Sequence, residues 1–148
     1  MKKDISDLFT KEQKEDIKSA IELAELDTSG EIRVHIENVC KGDVLDRAAY
    51  LFNKIGMTKT ASRNGVLIYL AVKNRKFAII GDIGINKVVP DNFWDSIKDE
   101  ILFHFREDNY TEGLVKAISG SGIQLKKYFP HKSDDVNELS DDISFNNN

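Results

Sequence analysis

Two short stretches hold the side chains best suited to chemistry. Gly81-Asp82-Ile83-Gly84 places a carboxylate between glycines at the end of one apolar run, and Arg63-Asn64-Gly65 places a guanidinium and an amide at the start of another. A carboxylate, an amide oxygen and loop carbonyls are hard oxygen donors, the kind calcium collects from loops at roughly six to eight per ion. Magnesium keeps more of its own water, so it or another divalent cation is the second choice. Asp91 closes the 81–91 loop and is the third candidate metal ligand beside Asp82 and Asn64. Ser29 and Glu31, with Arg63, Gly65 and Gly84, supply the remaining walls of such a pocket. The competing reading of Asp82 is a turn carboxylate that accepts hydrogen bonds from nearby backbone amides.

Other chemistries have less behind them. His35, His104 and His131 are scattered, with no HxxxH or HExxH spacing, so a zinc hydrolase has no framework. GxSxG, a Walker lysine loop and a strand-borne GxGxxG are all absent from the sequence. Hydrolysis, if the chain performs it, is left with a metal-activated water, and with Arg63 or Arg33 to hold phosphoryl oxygens. Glu107, Asp108 and Glu112 form a second acidic cluster, read first as helix-start acids that favour the dipole. Asp43 and Asp46 read the same way. The single Cys40 excludes an internal disulfide and reads as a small half-buried residue at a strand end. Ser119-Gly120-Ser121-Gly122 reads as close helix packing rather than a phosphate nest, because no strand precedes it.

The elements that must position these residues follow from periodicity. Thr10 and Gln13 fit a capping box before a helix over residues 10–26, in which Ile17, Ala20, Ile21 and Ala24 share a face. Residues 31–36 alternate with period two, putting Ile32, Val34 and Ile36 on one face and Glu31, Arg33 and His35 on a wetter one. Gly42 and Asp43 open a second helix, which ends at Gly56; apolar runs at 66–72 and 77–82 are joined by the turn 73–76. Strand, helix, strand makes the first two strands parallel, and the short turn sends the third back antiparallel. Asp82 then arrives on the rim where the first two strands begin. If Lys73 pairs with Lys76, Gly65 falls opposite Gly84, and the two loops approach closely. Further helices start at Pro90 and Thr111. The expected fold is α/β, a three-layer α/β/α sandwich with a small mixed β-sheet.

The chain has 148 residues and a mass of 16.8 kDa, enough for one substantial core over residues 1–131. Those residues carry 20 acids and 20 bases, and the net charge of −4 comes from residues 132–148, an acidic tail read as disordered. Leu139, Ile143 and Phe145 in that tail could form a short docking motif. With no basic stripe, nucleic acid is not the expected partner. The longest apolar run is seven residues, against roughly 20 for a membrane span. No secretory leader is recognisable, so a cytoplasmic monomer is expected, with a protein partner left open.

Several blocks together resemble the TPM domain family of thylakoid-lumen phosphatase-like and photosystem II repair proteins. They are Phe9-Thr10 before a helix, Thr28-Ser29-Gly30-Glu31-Ile32-Arg33-Val34, Arg63-Asn64-Gly65-Val66-Leu67-Ile68-Tyr69-Leu70 and Phe77-Ala78-Ile79-Ile80-Gly81-Asp82. Phe105-Arg106, Tyr110-Thr111-Glu112-Gly113-Leu114 and residues 125–130 also match, so the resemblance covers about residues 8–130. It implies an α/β/α fold, divalent-cation binding by loops at one end of the sheet, and the acid phosphatase activity proposed for plastid members. Asn64 matches the family's Asn-Gly before the second strand, and Asp82 falls in its glycine turn after the third. The chain departs from the pattern in three ways. It shows no leader or anchor, Asn109 stands where aspartate is frequent, and its glycine turn is one residue longer. The functional expectation is a calcium-type metal-binding regulatory or interaction module. The alternative is a metal-dependent acid phosphatase acting on phosphomonoesters.

Overall fold

In a computed structural model of the protein, residues 5–131 and 143–146 are described. A short 3₁₀ turn, Ile5–Leu8, leads into α1, Lys11–Glu25. Gln13 N donates to Thr10 Oγ1 at 3.0 Å and Thr10 N donates to Gln13 Oε1 at 2.9 Å, the reciprocal capping box read from the sequence. β1, Glu31–Glu37, is followed by α2, Val44–Lys54, whose first turn is capped by Asp43 accepting from Leu45 N and Asp46 N. β2, Gly65–Ala71, turns directly into β3, Lys76–Gly81. The chain continues through α3, Ile83–Asn86, α4, Asp95–Arg106, and α5, Tyr110–Tyr128; β4, Ser144–Asn146, comes last.

The sheet order is β3-β2-β1-β4, with β1 parallel to β2 and to β4, and β2 antiparallel to β3. Alternation decides which face each strand residue supplies. Ile32, Val34, Ile36, Val66, Ile68, Leu70 and Ile79 join the core beneath α1, α4 and α5. Leu67, Tyr69, Ala71 and Ala78 join a smaller core with Ala48, Leu51 and Phe52 of α2. Helices therefore cover both faces, and the expected α/β/α layering is what forms. The small residues of α5 serve packing: a Cβ on Gly122 would lie 2.7 Å from the Ala24 Cβ of α1. Among the described residues no helix is long and apolar enough to cross a membrane.

Four expectations need correction. Ala71 pairs with Lys76 and Val66 with Gly81, so Gly65 faces Asp82 and not Gly84. Val72 begins the turn instead of pairing in the hairpin: Arg75, with φ +53°, donates its N–H to Val72 O at 3.2 Å. The register is shifted by two residues, an even number, so every side chain keeps its face. The segment after Asp82 is a turn of helix, α3, and residues 91–94 are turns, so α4 begins at Asp95 rather than Pro90. The acidic tail is not wholly without structure, since Ser144–Asn146 pairs with β1. Leu139 lies outside the described residues. Cys40 is fully buried rather than half-buried, packed in the α2-side core.

Candidate functional site

Glu31, Gly65 and Asp82 stand side by side at one end of β1, β2 and β3. Asp82 N donates to Gly65 O at 2.9 Å, which carries the carboxylate onto the rim where β1 and β2 begin. Its oxygens are already engaged. Arg63 grips both, Nε to Oδ2 at 2.7 Å and Nη2 to Oδ1 at 2.9 Å, and Ile83 N donates to Oδ1 at 2.7 Å. The turn-carboxylate reading of Asp82 therefore holds, with Arg63 as its counter-ion. The pair holds the Arg63 guanidinium above its ordinary pKa through the hydrogen bonds it makes to Asp82.

The close approach read from paired glycines is present, with a different partner. Gly84 N donates to Arg63 O at 2.9 Å, and a Cβ on Gly84 would meet Ser62 O at 2.1 Å. Backbone on one side and a helix turn on the other leave nothing to yield. Gly84→Ala should lose about 1–3 kcal/mol of stability, read as a lower denaturant midpoint; an unchanged midpoint would mean the 57–65 loop does not lie against this turn.

Asn64 is the most enclosed polar residue of the rim, at 1% exposure. Its N–H donates to Thr60 Oγ1 at 3.2 Å, its amide Nδ2 reaches Ser29 Oγ at 3.3 Å, and its carbonyl accepts from Glu31 N at 3.3 Å. Its Oδ1 is buried and receives no hydrogen bond from the described residues. The rim thus unites Asp82, Asn64, Arg63, Gly65, Gly84, Ser29 and Glu31. Asp91 is exposed in the turn before α4, and no hydrogen bond or ion pair joins it to the others. The second acidic cluster is tied up locally: Asp108 pairs with Arg75 at 2.9 Å and accepts from the Tyr110 hydroxyl at 3.2 Å. Among the described residues no group of three or more histidine, cysteine or acidic side chains could hold a metal. A cation at the rim would need amide, hydroxyl and carbonyl oxygens as well.

The opposite end of β1 holds a polar cluster that sequence reasoning missed. Glu37 is completely buried. Its carboxylate receives Arg47 of α2 through both Nε and Nη2, the Tyr69 hydroxyl at 2.5 Å, and Asn146 Nδ2 of β4 at 3.1 Å. His35 stacks on Tyr69 with rings 6.2 Å apart and 9° from parallel, and its Nδ1 lies 2.7 Å from Ser144 Oγ. Its Nε2 is buried 3.5 Å from Glu37 Oε1. Glu31 and His35, read on the wetter face of the strand, are both buried, as is Glu37. The available signal was Glu31, Arg33, His35 and Glu37 on one face of one strand, a longer polar row than a half-covered strand needs.

Burial pushes the His35 pKa below its ordinary 6.5, with Glu37 opposing and Arg47 and Arg33 reinforcing. Burial also pushes the Glu37 carboxyl up, but the Arg47 and Tyr69 hydrogen bonds outweigh it and leave the group below its ordinary 4.5. Burial, then the bond to Glu37, drive the Tyr69 phenol well up. The sign is the same for both acid-side groups. Below about pH 6.5 the unfolded chain binds a proton that folded His35 refuses, and lower still Glu37 loses the charge its partners need. Stability should therefore fall by at most about 1.4 kcal/mol per pH unit per group as pH drops from 7. Thermal melts should show a smaller drop between pH 7 and 5 for His35→Gln than for the natural chain. Equal drops would remove His35 as a cause.

The TPM domain sequence model matches residues 3–122. The chain belongs to the TPM domain family. In overall shape this TPM domain is similar to the BA42 protein of the psychrophilic bacterium Bizionia argentinensis, solved by NMR. The TM-score is 0.91 at 46% identity, over 99% of this chain and 100% of that one. It is also similar to the N-terminal domain of a P. gingivalis protein, with a TM-score of 0.69 at 23% identity over 87% of this chain and 85% of that one. The N-terminal domain of the cg2496 protein from Corynebacterium glutamicum gives 0.66 at 15% identity, over 81% and 76%. The last two likenesses concern the fold alone. No curated protein matches the chain.

Proposed function

We propose that this TPM domain is a divalent-cation-binding interaction module whose ion, calcium by preference, sits at the rim around Asn64. The observation that supports it is the Asn64 side-chain oxygen, enclosed and without a donor among the described residues. An acceptor left so costs on the order of 1–3 kcal/mol unless something electropositive meets it. A cation would also find Ser29 Oγ beside that amide, 3.3 Å from its nitrogen, the start of a loop-borne oxygen set of the type calcium takes. Asp82 would join only by releasing Arg63, whose side chain is 40% exposed and free to turn toward water. That exchange would couple the ion to the shape of the 57–65 loop, and so to whatever surface the loop presents to a protein partner.

Calcium titration of the full chain by calorimetry and amide NMR tests this. Saturable binding is expected, with shifts concentrated in residues 57–65 and 81–84. Asn64→Ala should weaken it at least about tenfold, or 1.4 kcal/mol. Arg63→Ala should strengthen it by removing the competing cation. No saturable binding, or shifts confined to other loops, removes the reading.

One observation favours the phosphatase alternative: Arg33 Nε, on the same strand face as Glu31, is buried without a hydrogen-bond partner among the described residues. A guanidinium donor in that position suits a phosphoryl oxygen. Metal-stimulated turnover of an aryl phosphate, lost in Arg33→Ala and Asp82→Ala, would favour it. Equal turnover in all three proteins would point to a contaminant.

A further inference from the structure

We propose that the edge of β1 at His35 to Glu37, which β4 covers, is a groove that accepts an extended segment of a partner protein, and that β4 is its tethered resident. The site lies at the far end of β1 from the cation rim and does not depend on it. Its acceptor side is held by other elements: Arg47 of α2 and Tyr69 of β2 fix the Glu37 carboxylate, and with β4 in place His35 and Glu37 are 5% and 0% exposed. Its occupant is slight, three residues, each only half-buried.

The docked segment is read on both faces, as strand geometry requires. Ser144 Oγ meets His35 Nδ1 at 2.7 Å and donates to Val34 O at 3.3 Å. Asn146, two residues on, donates from Nδ2 to Glu37 Oε1 at 3.1 Å. Phe145 points the other way, tilted against Phe9 at 6.3 Å and under the Lys14 ammonium at 5.9 Å. Main-chain ladder bonds supply affinity in such strand addition, and the alternating side-chain sites supply selectivity. The fitting partner segment is therefore hydroxyl, aromatic, carboxamide, running parallel to β1. The third position demands a donor, because an acidic side chain there would face the buried Glu37 carboxylate. Ile143 and Phe145, read from the sequence as a docking motif, dock on the chain itself. A tether gives the resident an effective concentration on the order of millimolar, which any partner must outcompete.

The test uses the full chain and a labelled peptide with the sequence of residues 141–148. Full-length Phe145→Ala, with its resident weakened, should bind the peptide at least about tenfold tighter than the natural chain. Amide shifts should map to His35, Ile36 and Glu37. A peptide with aspartate in place of Asn146 should bind at least tenfold more weakly. As a check independent of that variant's folding, excess peptide added to the natural chain should move the Ser144, Phe145 and Asn146 signals to free-peptide positions. No binding at millimolar peptide in both proteins, or equal binding of the asparagine and aspartate peptides, would overturn the proposal. So would a concentration-dependent dimer formed by exchange of tails, because the groove would then serve a second copy of this chain.

Discussion

Glu37→Ala should lower the unfolding free energy by about 3–5 kcal/mol, the range for removing one partner of a buried ion pair. The loss does not measure the attraction of Glu37 for Arg47. It comes from what is left behind: the Tyr69 hydroxyl, the Asn146 amide and the Arg47 guanidinium all lose their acceptor at once. Arg47 is 26% exposed and can recover some water, which pulls the cost toward the lower end. Tyr69 is completely buried and cannot. Two companions separate the causes. Glu37→Gln keeps one acceptor oxygen and should cost clearly less, and the double change Glu37→Leu with Arg47→Leu should recover much of the loss by leaving no charge to desolvate. Urea unfolding is the measurement. A loss below about 1 kcal/mol for Glu37→Ala would mean the carboxylate is hydrated and the buried cluster does not exist.

Ile79→Ala should cost about 2–5 kcal/mol. Ile79 is 4% exposed, lies directly opposite Ile68 across the β2–β3 pair, and faces the larger core beneath α4 and α5. The pair supplies the floor on which those helices rest, and sheet and helices together restrain any collapse into the space left by the lost methyl groups. That incomplete relaxation places the effect above simple transfer of the missing carbons to water. Ile79→Val, which removes one methyl group, should cost about 0.5–1.5 kcal/mol. If the alanine variant loses less than about 1 kcal/mol, β3 does not present this residue to the core.

Much of the architecture was legible because short-range rules decided it. The Thr10–Gln13 box and the Asp43 cap are contacts within one turn, and they form as read. Ile32, Val34 and Ile36 lie on one face because strand side chains alternate, whatever the neighbours do. The brief hairpin could only return antiparallel, so Asp82 had to reach the rim near Asn64. Its engagement by Arg63 was not legible. That bond spans 19 positions of sequence and depends on the left-handed backbone of Arg63, φ +49°. The register was missed for a related reason, since the turn closes from Arg75 N to Val72 O through the left-handed backbone of Arg75, φ +53°.

Sequence by itself determined the layers, the strand directions, the faces of the core and the rim on which Asp82 and Asn64 meet. Only the tertiary structure decided that Glu31, His35 and Glu37 are enclosed. Alternation says which side of a strand is polar, but whether that side meets water depends on what lies beside and above it. For His35 and Glu37 the answer comes from α2, which brings Arg47 over the sheet, and from β4, which pairs with β1 across about a hundred residues of sequence, as His35 with Ser144. A polar row with such neighbours exchanges hydration for paired charges, and no local pattern encodes that exchange.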